Sequence, residues 1–105
     1  MTLRHRLQNR RKHEVVAFKF RGVSCTVGFS RFVDGSLAEV FIDNHKCSSD
    51  LASDARDAAV ALSISLQHGV PAEAIRGAVT RDATGEASGI LGCVLDLLLG
   101  PETTR

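Results

Sequence analysis

The sequence predicts an α+β fold in which a three-stranded antiparallel meander packs against one long helix and two shorter carboxyl-terminal helices. Three observations carry that prediction. Apolar and polar residues alternate between Val16 and Ile42, the period of strands with one buried face. Leu51, Ala55, Ala58, Leu62 and Leu66 then recur at steps of four, three, four and four, which lines one side of a helix at about 3.6 residues per turn. Proline and glycine punctuate the remainder at Gly69-Val70-Pro71 and Gly100-Pro101.

The elements follow in order. Residues 1–13 hold Arg4, Arg6, Arg10, Arg11 and Lys12, no acid, and only Leu3 and Leu7 as large apolar side chains after the start methionine. So little apolar surface does not offset the entropy of ordering a chain, and a mobile basic arm is expected there. The globular part is expected over 14–100, with a frayed tail over 101–105. In the first strand Val16, Phe18 and Phe20 alternate with Ala17, Lys19 and Arg21. Gly22 breaks the run. Val23, Cys25, Val27, Phe29 and Arg31 then alternate with Ser24, Thr26, Gly28, Ser30 and Phe32 in a second strand. Asp34-Gly35 signals a hairpin, because such turns need positive φ at positions that Asp and Gly tolerate. Leu37 to Asp43 makes the third strand, with Ala38, Val40 and Ile42 on one face and Leu37, Glu39 and Phe41 on the other.

The long helix is expected from Ser49 to His68, about 30 Å at ~1.5 Å per residue. Ser48 or Ser49 can cap its start, Asp50 and Asp54 favour the positive end of its dipole, and Gly69 can close it in the left-handed conformation. Asp50, Ser53, Asp54, Arg56, Asp57 and Gln67 are expected to face water. Val70-Pro71 restarts a short helix at its first position, with Ala74, Ile75, Ala78 and Val79 as the apolar side. Thr80 to Gly89 lacks periodicity and reads as a loop. Ser88 or Gly89 opens a third helix, Ile90 to Leu99, apolar nearly all round, with Asp96 its one charge. A helix of that kind is either central to a core or shared with another subunit.

Composition narrows the function classes. A chain of 105 residues has room for one core. With no Trp or Tyr and five Phe, an aromatic platform for bases or sugars is not expected. The net charge of +1 conceals a segregation: five cations and no acid lie in residues 1–13, leaving 8 basic and 12 acidic residues in the remainder. Nucleic acid is therefore a candidate partner for Arg4, Arg6, Arg10, Arg11 and Lys12, since clustered cations gain affinity by releasing counterions. No run approaches the ~18 apolar residues of a membrane span, and no apolar signal segment opens the chain, so a cytoplasmic protein without a membrane partner is expected.

Chemistry-bearing motifs are sparse. Cys25, Cys47 and Cys93 are odd in number and widely spaced, which suits inert thiols better than a disulfide framework. Cys47 is the candidate reactive thiol, because it precedes a helix amino terminus and follows Lys46, both of which favour the thiolate. His45 and Cys47 supply two zinc ligands and name no others, so no metal is predicted. His68 suits the negative end of the long helix. Asp54, Arg56 and Asp57 form a mixed-charge solvated face rather than acid-base machinery. Arg81, Gly85, Ser88 and Gly89 are a candidate anion site on free amides before the third helix. Neither a catalytic residue nor a cofactor is predicted.

The order Phe18-x-Phe20-x-Gly22, Thr26-Val27-Gly28, Asp34-Gly35, Glu39-Val40-Phe41-Ile42, and above all Ala58 through Ile64-Ser65-Leu66-Gln67-His68-Gly69-Val70-Pro71, resembles the TSCPD domain. That domain occurs near the carboxyl end of adenosylcobalamin-dependent ribonucleotide reductases and in small stand-alone bacterial proteins. The resemblance spans roughly Val16 to Leu99. It implies a non-catalytic accessory or interaction module linked to nucleotide or DNA metabolism. Reductase activity is not implied, because the large barrel and the terminal cysteine pair of those enzymes are missing. The over-apolar last helix and an exposed sheet face further predict a homo-oligomer, most simply a dimer, with a protein partner as the wider class.

Overall fold

Three strands form where the sequence alternates: β1 (His13–Phe20), β2 (Val23–Arg31) and β3 (Leu37–Asn44), antiparallel in the order β1-β2-β3. Between β1 and β2 the chain reverses through Arg21 and Gly22, at φ 51° and 78°. Two successive positive φ values match the right-handed twist of the flanking strands. Asp34-Gly35 turns β2 into β3, with Gly35 at φ 91° and the Asp34 carboxylate accepting from the Ser36 amide at 2.9 Å. A bulge at Ser30/Arg31 shifts the register beside that turn. Val16, Val27 and Ile42 lie abreast on one face, and the positions beside them on β2 and β3, Cys25, Phe29 and Val40, are buried on the same face.

The computed structural model describes residues 12–44 and 49–100, and the chain divides at Val70 and Pro71 into two compact units. The first ends with α1 (Ser49–Gln67), which packs on β3. Ala55, Leu62 and Leu66 are buried as the periodicity predicts, whereas Leu51 and Ala58 are half-buried and Ala59, Ser63 and Gln67 take their place. Gln67, expected in water, is 1% exposed. The reason lies in the backbone of β3. Val40 donates its N–H to Ser63 Oγ at 2.9 Å, Ser63 Oγ donates back to the Val40 carbonyl at 3.1 Å, and Gln67 Nε2 reaches the Ala38 carbonyl at 3.5 Å. The N–H and C=O of one strand residue point the same way, so both Val40 groups turn from β2 towards α1. Thus α1 runs along the outer edge of β3 and supplies polar partners where a fourth strand would otherwise pair. It ends as expected: Gly69 takes φ 91°, its amide bonds the Leu66 carbonyl at 3.1 Å, and the Val70 amide bonds the Ser65 carbonyl at 3.0 Å.

The second unit holds α2 (Ala72–Ala78) and α3 (Ile90–Leu99). Pro71 stands just before α2 rather than at its first position, at φ −67° and ψ 137°. Ala74 and Ala78, expected on an apolar buried side, are exposed, and the buried side chains of α2 are Ala72 and Arg76. Arg76 is inside because Asp96 of α3 receives it. Its Nε donates to Asp96 Oδ1 at 3.0 Å and its Nη2 to the Gly100 carbonyl at 2.6 Å. Arg81 grips the same carboxylate with two donors, Nη1 to Oδ2 at 2.8 Å and Nη2 to Oδ1 at 2.9 Å. The segment expected as a plain loop folds back on itself through a bridge between Arg81 and Ala87. Gly92 admits that segment: a Cβ there would stand 2.8 Å from Ala87 Cβ and 2.9 Å from Val79 Cγ2.

Two outcomes follow from this packing. Ser63→Ala leaves two buried backbone groups of Val40 without their partner and is expected to lower stability by about 1–3 kcal/mol in urea unfolding. Ser65→Ala, whose hydroxyl bonds only the Ala61 carbonyl of its own helix, should cost less than about 0.5 kcal/mol. The second outcome concerns pH. The hydrogen bond from Arg81, with the charges of Arg81 and Arg76 behind it, holds the Asp96 carboxyl below its ordinary range. A depressed carboxyl stabilises the fold above its unfolded pKa of about 4, and that contribution disappears as pH falls through the folded value. Urea midpoints compared at neutral and strongly acidic pH should therefore fall further in the wild-type chain than in Asp96→Asn. Equal falls would remove Asp96 from the acid sensitivity.

Candidate functional site

Two elements of the first unit leave a groove between them. On β3, Glu39, Phe41 and Asp43 alternate towards one face. On α1, Arg56, Val60, Ser63, Ile64 and Gln67 fall on one stripe at steps of four, three, one and three. The two rows line a groove of about 680 Å³, floored by Val40, Ile42 and Ala59. Its apolar walls are open to water: Phe41 is 55% exposed, Val60 52% and Ile64 43%. Val60 and Ile64 sit one helical turn apart, so they form a paired apolar step about 6 Å long. The exposed Arg56 and Asp43 give the rim charges of both signs.

The groove continues onto the sheet. Val15, Gly28 and Phe41 are cross-strand partners, and a Cβ at Gly28 would make ordinary contacts, 3.9 Å to Phe41 Cβ and 4.0 Å to Val15 Cγ2. One residue row away, His13, Ser30 and Glu39 also lie abreast. Glu39 is buried, accepts from Ser30 Oγ at 3.1 Å, and faces His13 Nε2 at 3.7 Å, while the His13 ring is tilted against Phe41 with centroids 6.4 Å apart. A serine, a carboxylate and a histidine together invite comparison with hydrolytic sites. The geometry is of another kind. The serine and the imidazole meet the same carboxylate oxygen, Oε1, so in this arrangement the imidazole is not placed to take the serine proton. Ser30 is also 1% exposed, closed to a substrate.

Of the residues singled out in the sequence, Arg4, Arg6, Arg10, Arg11, Cys47 and His45 lie outside the described residues. Lys12 is exposed beside β1, and Arg56 lines the groove. Cys25 is buried, with Sγ 3.5 Å from the Val23 carbonyl. Of the candidate anion residues, Gly89 stands at the start of α3, and Arg81, Gly85 and Ser88 have polar groups with partners inside the second unit. Arg81 grips Asp96 and also meets the Gly85 carbonyl at 3.1 Å. The Gly85 amide donates to the Asp82 carbonyl at 3.0 Å and the Ser88 amide to the Thr80 carbonyl at 2.9 Å. The Asp82 carboxylate itself sits in the turn, held below its ordinary range chiefly by the Thr84 hydroxyl. Among the described residues, no group of three or more His, Cys, Asp or Glu is placed to hold a metal ion.

The groove itself was not singled out in the sequence. Its signal was present, since Val60 and Ile64 are large apolar residues off the stripe assigned to the core. No helix among the described residues is long and apolar enough to cross a membrane. Comparison with known proteins yields no match: no family model fits the chain, and no curated protein or solved structure is significantly similar to it.

Proposed function

We propose that this chain is a non-catalytic accessory module that docks an apolar helix of another protein in the groove between β3 and α1. The observation that carries the proposal is the exposure of Phe41, Val60 and Ile64 around one concavity. Full burial of an exposed side chain of this size is worth about 1.5–3 kcal/mol, so covering the half that each of these still exposes is worth about 1 kcal/mol apiece before the cost of association. Large apolar anchors in a central pocket with a charged rim are the arrangement in which few residues dominate binding. A helix suits the site better than an added strand, because the β3 edge is already occupied by Ser63 and Gln67. The resemblance of Ile64 through Pro71 and the strand motifs to the TSCPD domain supports the same accessory role, with a link to nucleotide or DNA metabolism.

Photo-crosslinking from position 60 of the full chain in its native cell tests this. The expected adduct is a protein, and titration with that purified protein should show Val60→Arg weakening binding at least tenfold, about 1.4 kcal/mol. A partner that binds wild type and Val60→Arg equally contradicts the proposal. Adducts confined to nucleic acid, with retention that falls steeply with salt, would instead favour the basic arm as the working part. An adduct to a second copy of this chain would make the partner a homodimer.

A further inference from the structure

We infer that two copies of this chain pair edge to edge through β1, antiparallel about a two-fold axis at Val16, so that their sheets become one. The sheet ends on one side at β3, under the polar groups of Ser63 and Gln67, and on the other at β1. In a two-residue hairpin the flanking pair, here Phe20 and Val23, exchanges both backbone bonds, and bonded and open pairs then alternate along the ladder. That alternation turns the N–H and C=O of His13, Val15, Ala17 and Lys19 away from β2. Carried across the sheet, the same count turns Val40 outward on β3, where Ser63 meets it. Among the described residues, no group bonds the outward backbone row of β1.

Proteins blunt an open edge with a proline, a bulge, a charge in mid-strand or a cover. β1 carries no proline and no bulge, pairs with β2 in unbroken register from His13 to Phe20, and is uncharged through its middle, Val15-Val16-Ala17-Phe18. Its side chains also lack a neighbour: Val15 is 71% exposed, and Val16 and Phe18, on the face that is buried further into the sheet, are only half-buried. A second copy fits this edge because it brings the same unmet groups. With the axis at Val16, Lys19 faces the second copy's His13 and Ala17 faces the second copy's Val15. Each such pair exchanges two bonds, about eight along the seam. Val16 then meets the second copy's Val16 on the axis, and the half-buried apolar row runs on from one sheet into the next. Any other axis leaves part of the outward row unmet, and an axis at Glu14 or Lys19 sets like charges opposite each other. A seam of one strand pair is a modest interface, so the dimer is expected to depend on concentration. The groove lies at the other edge of the sheet and stays open in such a pair.

Sedimentation equilibrium and amide hydrogen exchange of the full-length chain over a dilution series test the inference. Expected is a mass of two chains at high concentration, with the Val15 and Ala17 amides protected in the dimer and losing that protection as the mass falls to one chain. The Val16 and Phe18 amides, bonded to β2, should stay protected throughout. Ala17→Pro removes an outward donor, and proline is tolerated at such edge positions. It should remain monomeric where wild type dimerises, with Val16 and Phe18 still protected and so reporting an intact sheet. A wild-type chain that is monomeric throughout overturns the inference. So does a dimer whose Val15 and Ala17 amides exchange at monomer rates, because it is built on another surface, and so does a folded Ala17→Pro that still dimerises. Should Ala17→Pro unfold, the alternation of protection along wild-type β1 decides by itself. None of these results touches the docking proposal, which falls only if a crosslinked partner ignores Val60→Arg.

Discussion

A strand at the edge of a sheet exposes a row of backbone donors and acceptors, and in this protein one hydroxyl answers much of that problem. Ser63 Oγ accepts from the Val40 amide and donates to the Val40 carbonyl, and Gln67 reaches the Ala38 carbonyl four residues further along the helix. A small sheet needs a covered hydrophobic face or a helix packed on it to be stable. Here the β3 edge is closed by a helix laid alongside it in the opposite direction, and the position of α1 follows from where those polar side chains must sit. Ala55, Ala59, Leu62 and Leu66 supply the apolar contact, but Ser63 and Gln67 set the register.

The groove is a consequence of that arrangement. A helix seated against the edge of a strand, rather than across the middle of a sheet, leaves a re-entrant corner on the side where strand and helix diverge. Phe41 points into it from β3, and Val60 and Ile64 from α1. These three residues leave about half of their surface open to water in the isolated chain. Large apolar groups so placed gain most from a partner. The docking proposal therefore follows from the same constraint that positions α1.

Much of the fold was legible in the sequence, and the parts that were not share a cause. Alternation from Val16 to Ile42 located all three strands, and Asp34-Gly35 and Gly69 located a turn and a helix end because their backbone angles suit few other residues. The buried side of α1 was read by apolarity alone. That criterion finds Leu62 and Leu66 but sends Gln67 to solvent, since nothing local shows that a strand edge needs its amide. Arg76 was missed for the same reason: it is buried because Asp96, 20 residues later, completes it. The loop after α2 was read for free amides, and the partners of two of them, the Asp82 carbonyl for Gly85 and the Thr80 carbonyl for Ser88, become visible only in three dimensions. Groove residues are harder still, because an exposed Val60 and a buried one are identical in sequence.

Amide hydrogen exchange at Val40 in the native protein tests the central claim most directly. If α1 seals the edge of β3 through Ser63, the Val40 amide should be protected to the level of global unfolding, as slow as the amides of the central strand β2. Exchange at Val40 orders of magnitude faster than in β2 would mean an open edge, and would remove the physical basis for the position of the helix and for the groove beside it.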